Sequence, residues 1–123
     1  LLYQMEINSD FSEKSVNIFF ENNDFNKEEK AYIEDAINTI LDNIDLIDSY
    51  IEQNIQGWGI HRLARIDLST LRIAIYEMLY RDDIPIEVSI NEAIEIAKKY
   101  STIESAKFIN GVLGGFVKSR DNI

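Results

Sequence analysis

Apolar residues recur along this chain at three- and four-residue intervals, and strict alternation is rare. That spacing predicts helices rather than strands. Leu1, Leu2, Met5 and Ile7 read as the end of a helix already under way. Ser12 is placed to cap a short helix that buries Val16, Phe19 and Phe20, and Asn22, Asn23 and Asp24 form a loop. Asn26 with Glu29 three residues on has the form of a reciprocal cap. The helix it opens carries Ile33, Ile37, Ile40, Leu41 and Ile44 on one stripe. Ile47, Tyr50, Ile51 and Ile55 continue the pattern past a break near Asn43 to Asp45. Gly57, Trp58 and Gly59 then make a tight connector.

Beyond the connector, a turn around Ile60 to Arg65 leads to a helix expected over 68–81. Leu68, Leu71, Ile75, Met78 and Leu79 lie on one side of it, and Ile73, Tyr76 and Tyr80 on another. A helix apolar on most faces belongs at the centre of a bundle. Pro85, the only proline, ends the run, because proline cannot continue a helix. Ser89 with Glu92, and Ser101 with Glu104, look like two further capping boxes. Ile90, Ala93, Ile94 and Ala97 face the core in one helix. Phe108, Ile109, Val112, Leu113 and Phe116 do so in the last. The expected fold is all-α, a compact bundle of about six or seven helices in two packed halves. A length of 123 residues fits one domain over 1–123, with a subdomain boundary near 57–59.

Charge divides the chain. Residues 1–57 carry 13 acidic side chains against Lys14, Lys27 and Lys30, while residues 58–123 balance 9 against 9. A net charge of −10 argues against a general nucleic-acid binder, which shows a basic face. Any RNA contact belongs to the neutral half, where Lys98, Lys99, Lys107, Lys118 and Arg120 collect. The absence of cysteine excludes disulfides and thiolate chemistry and suits a reducing cytoplasm. No apolar run approaches the roughly 20 residues that span a bilayer.

Catalytic chemistry finds no support. His61 is the only imidazole, and its helical neighbours Gly57 and Arg65 ligate no metal. Glu92 and Glu95 share a face, but a di-iron site wants Glu-x-x-His pairs on facing helices. Gly111, Gly114 and Gly115 fall inside a helix, not in a phosphate loop between strand and helix. The reading is a non-enzyme without metal or cofactor. Arg72 and Glu77 stand five residues apart and do not pair along one helical face. Each either reaches a polar partner on another helix or helps to form a partner-protein surface. Asp67 suits the N-cap of the central helix. Tyr3, Tyr100 and Phe108 read on their own as core aromatics.

Three strings change that picture. They are IDLSTLRIAIYEMLYRDDIPIEVSINEAIEIAKKY (66–100), its core R-I-A-I-Y-E (72–77), and ESAKFINGVL (104–113). In order and spacing they resemble the NusB family of bacterial transcription antitermination factors. That family's C-terminal half carries D-x-x-x-x-R-I-A-x-Y-E, a Pro-containing turn, I-N-E-A-x-E-x-A-K and K-F-x-N-G-V-L. The resemblance is strongest over 58–117. It implies a factor that binds a boxA-type single-stranded RNA of the ribosomal leader together with ribosomal protein NusE, within the elongation complex of RNA polymerase. It also implies RNA contacts at Tyr3, Tyr100, Glu104, Lys107 and Phe108, and a protein-binding side at Asp67 and Glu77. Aromatic rings stack on unpaired bases and lysine neutralises phosphate, so these residue types suit the task.

The family carries an Arg-rich stretch just before its A-L-Y string, and this chain starts inside that string at Leu1-Leu2-Tyr3. A version with that stretch is expected to bind RNA better. Two other readings stay open on sequence. One is the accessory RNA-binding domain of a ribosomal RNA cytosine methyltransferase, against which stands the lack of a Rossmann-like region before Ile123. The other is a helical protein-interaction module without RNA binding, which the net charge suits.

Overall fold

The structure, a computed structural model, describes residues 26–55 and 59–121. The segments expected to be helical before Asn22, and the Gly57-Trp58 part of the connector, lie outside the described residues. Among the described residues there are five α-helices and no strand: α1 (Lys27–Asp42), α2 (Ile44–Gln53), α3 (Arg65–Tyr80), α4 (Ile86–Tyr100) and α5 (Ile103–Asp121). A single 3-10 turn, Ile60–Arg62, precedes α3.

The start of α1 follows from its cap. The Asn26 side chain accepts from the Glu29 backbone N–H at 2.7 Å, and its amide donates to the Glu29 carboxylate at 2.6 Å. The break between α1 and α2 falls at Asn43, whose side chain donates to the Thr39 carbonyl at 2.8 Å. There it competes for a carbonyl at the end of α1, the habit of a short polar side chain.

Three expected caps move. Helix α3 opens at Arg65, so Asp67 sits in its first turn and is not the N-cap. Ala64 takes that place with extended backbone, and its carbonyl accepts from Leu68 N at 3.0 Å. Helix α4 starts directly after Pro85, whose carbonyl accepts from Val88 N at 3.0 Å. Ser89 is therefore buried a turn inside the helix and caps nothing, and Glu92 is exposed. At α5 the cap shifts by one residue from Ser101. Thr102 Oγ1 accepts from Ser105 N at 2.9 Å.

Helix α3 is the hub. It packs against α1, α2, α4 and α5, while α4 and α5 pack along each other. Ile40, Ile47 and Ile51 from the first half join Leu71, Ile75, Tyr76, Ile109, Leu113 and Phe116 from the second in one core cluster. The hub explains why α3 is apolar on most faces. Three of its polar side chains reach outward to α1 and α2. Arg72 grips Asp48 with two hydrogen bonds of 2.8 Å, Tyr76 OH donates to Asp35 at 2.8 Å, and Glu77 accepts from Tyr32 OH at 2.7 Å. Burial, then the bond to Glu77, raises the Tyr32 phenol.

The glycines of α5 divide by surroundings. Gly115 lies against the Asn54 side chain, which would have to move to admit a Cβ. Gly111 and Gly114 face open space.

Candidate nucleic-acid interface

The expected RNA-binding residues that are described meet where α4 ends and α5 begins. Tyr100 is the last residue of α4 and is 62% exposed. The Lys99 ammonium stands 5.2 Å from the centre of its ring. Glu104 and Lys107 are exposed on the first turns of α5. Phe108 is half-buried and packs against the core. Tyr3 lies outside the described residues. One residue of this face was not anticipated: Ile103, 64% exposed, between Tyr100 and Glu104. An aliphatic side chain at the first position of a helix gives no periodic signal of exposure.

This face is built on a link of only two residues. Ser101 and Thr102 connect the helices, and Ser105 ties the link down. The hydroxyls of Ser101 and Thr102 donate to Ser105 Oγ at 2.9 and 3.2 Å, and Ser105 Oγ donates to Asp67 Oδ2 at 2.9 Å. The chain of hydroxyls anchors the start of α5 to α3. It sets the direction in which Glu104 and Lys107 project. Ser101 and Ser105 are four apart in sequence, but nothing in that spacing points to an acid 38 residues upstream.

The cations do not form one cluster. Lys98, Lys99 and Lys107 lie near the α4–α5 junction, with Lys98 3.6 Å from Glu95. Lys118 and Arg120 sit at the far end of α5. Eleven residues of helix put Lys118 roughly 17 Å from Lys107. Arg120 instead lies over the Phe116 ring at 5.6 Å and donates to the Met78 carbonyl at 3.3 Å. The cationic part of the face is small and local.

The two residues expected on a protein-binding side are both largely buried. Asp67 is 7% exposed and is bonded to Ser105, at the RNA candidate end. Glu77 is 8% exposed and tied to Tyr32. Arg72 and Glu77 thus each find a polar partner on another helix. An open groove of about 550 Å³ runs beside Asp67, walled by Ile55, Leu63 and Phe108 with Glu104 at its edge. His61 is exposed, and no group of residues among those described could hold a metal ion. Among the described residues, no helix is long and apolar enough to cross a membrane.

Residues 1–118 match the NusB family. The chain belongs to the NusB family. It is 48% identical over 118 residues to a transcription antitermination protein NusB from Acetivibrio thermocellus, covering 96% of this chain and 81% of the relative. A NusB from Clostridium novyi is 45% identical over 121 residues, covering 97% and 91%. The NusB proteins are transcription antitermination factors, not enzymes. Among solved structures, a T. maritima NusB superimposes with a TM-score of 0.85 at 41% identity, covering 95% of this chain and 82% of that one. A crystal structure of the antitermination factors NusB and NusE in complex with double-stranded RNA superimposes with a TM-score of 0.83 at 25% identity, covering 96% and 88%.

Proposed function

We propose that this chain acts as one NusB-like helical domain that binds a boxA-type sequence of the ribosomal RNA leader together with NusE. In the cytoplasm it would hold both in the RNA polymerase elongation complex and so favour antitermination. One observation carries the reading: the fold matches, over nearly its whole length, a NusB solved with NusE and RNA. The α4–α5 junction supports it chemically. An exposed tyrosine, an exposed lysine and a partly exposed phenylalanine within a few residues are what an unpaired strand needs. The small cationic patch on an acidic chain makes RNA binding weak alone. A second contact on the same rigid scaffold raises the affinity by effective concentration.

Lys107→Ala and Tyr100→Ala test the site. Both side chains are exposed, so neither change should move the melting temperature by more than a degree or two. Tyr100→Ala is expected to weaken single-stranded RNA binding by about 1–3 kcal/mol for a lost stack. Lys107→Ala should weaken it less and flatten the salt dependence by about one charge. Unchanged affinity in both variants, measured by titration at two salt concentrations, would remove the site from this face.

A further inference from the structure

The groove beside Asp67 is continuous with the proposed RNA face, because Glu104 and Phe108 belong to both. We propose that it receives one unpaired RNA base, and that Asp67 and Glu104 select a base carrying an exocyclic amine over uracil. This rests on the RNA-binding reading above. It adds a specificity determinant that was expected on the protein-binding side.

Size, wall and floor agree. A volume of about 550 Å³ lies in the range of small-ligand sites. Phe108 supplies an aromatic wall on which a base can stack. Asp67 supplies an unmet demand. Its Oδ2 accepts from Ser105, while its Oδ1 is buried with no hydrogen-bond partner. A carboxylate oxygen left in that state carries its desolvation cost uncompensated, and an arriving N–H donor recovers it. Oδ1 is closed to solvent, so a base must displace rim side chains to reach it. Arg62 is exposed and lines the groove, so its side chain can swing aside while Phe108 stays packed on the core. Arg62 also brings a guanidinium to the edge, suited to the phosphate of the same nucleotide.

The selectivity follows from donor and acceptor counts. An ionised carboxylate only accepts. Cytosine, adenine and guanine each offer an amino group. Uracil offers two carbonyls and one N–H, and a carbonyl facing Asp67 or Glu104 is repelled.

Equal-length oligo(C) and oligo(U) RNAs, titrated against the chain, test this. Oligo(C) should bind about tenfold or more tighter, the worth of one hydrogen bond to a charged group. Asp67→Asn keeps the side chain's size and its bond from Ser105, but puts an N–H donor where the orphan acceptor stood. It should cancel or reverse the preference for oligo(C). Glu104→Gln, at an exposed position that cannot disturb the fold, should reduce the same ratio. It keeps the proposal testable if Asp67→Asn fails to fold. Equal weakening of both RNAs by Asp67→Asn would overturn the proposal and leave Asp67 as an anchor of α5. Lost affinity for the partner protein with both RNAs unaffected would overturn it in favour of a protein-lined groove. A wild-type chain that binds both RNAs equally would overturn it while leaving RNA binding intact. A wild-type chain that binds neither RNA, alone or with NusE, would overturn the RNA-binding reading itself and the groove with it.

Discussion

Arg72→Met is expected to destabilise the fold by about 2–4 kcal/mol at neutral pH, because it strands Asp48 without its cation. The pair is bidentate at 2.8 Å, with side-chain exposures of only 12% and 21%. Burial, with Glu52 and Asp45 close by, pushes the Asp48 carboxyl up to about 6, and burial pulls the Arg72 guanidinium down to about 10. The two-pronged bond opposes both shifts and keeps the ions charged. Without Arg72, the folded-state pKa of Asp48 rises further above its unfolded value near ~4. A raised carboxylate pKa means that the folded state binds the proton more tightly. Relative to wild type, the penalty of the variant is therefore small at pH 5, where Asp48 is largely protonated in both folded states, and grows as pH rises through and above 6. Urea unfolding at pH 5 and pH 8 checks the sign. A deficit that is larger at pH 5 would show that Asp48 is not the stranded group. Adding Asp48→Leu to Arg72→Met should return most of the loss, since an apolar pair of similar volume often replaces a buried ion pair without cost.

Phe116→Ala should cost about 3–5 kcal/mol, the range for a buried aromatic truncated to a methyl. Phe116 is 1% exposed, and its ring meets that of Tyr50 edge to face with centroids 5.0 Å apart. That contact joins α5 to α2, so the cavity opens between the two halves of the chain. Phe108→Ala should cost clearly less, since Phe108 is half-buried at the groove. Thermal unfolding of the two variants beside wild type checks the order. Equal losses would place Phe108 in the core and remove the aromatic wall of the groove.

How far the chain could be read beforehand depended on whether the cause was local. The 3.6-residue periodicity marked the five described helices, and the apolar character of α3 marked it as the hub. Asn26 with Glu29 was legible because both partners of that cap are three residues apart. Ser89 and Ser101 had the same local pattern and misled. At Ser89 the stiff backbone of Pro85 had already started the helix a turn earlier. At Ser101 the neighbouring Thr102 made the cap, leaving Ser101 free to bond Ser105. For Arg72 and Glu77 the sequence leaves open a polar partner on another helix or a partner-protein surface, and neither Asp48 nor Tyr32 could be named. Which acid or phenol faces them depends on how α1 and α2 dock on α3, and no short-range spacing encodes that. The exposure of Tyr100 had the same dependence. An aromatic at a helix end is core or surface according to whether a neighbour covers it.

The family strings extended that reading to partners, which periodicity never reaches. They placed Tyr100, Glu104, Lys107 and Phe108 together, and the structure brings all four to the α4–α5 junction. The strings also grouped Asp67 with Glu77. Packing separates them, because Ser105 draws Asp67 towards α5 while Tyr32 draws Glu77 towards α1.

Titration of a boxA-type RNA and a scrambled RNA of equal composition, each with and without NusE at fixed salt, tests the proposed function most directly. The boxA-type RNA should bind weakly to the chain alone and at least tenfold tighter with NusE present, as expected for two contacts on one scaffold. The scrambled RNA should gain little. Equal affinity for the two RNAs in the presence of NusE, or no gain from NusE at all, would contradict a sequence-reading RNA- and protein-binding factor.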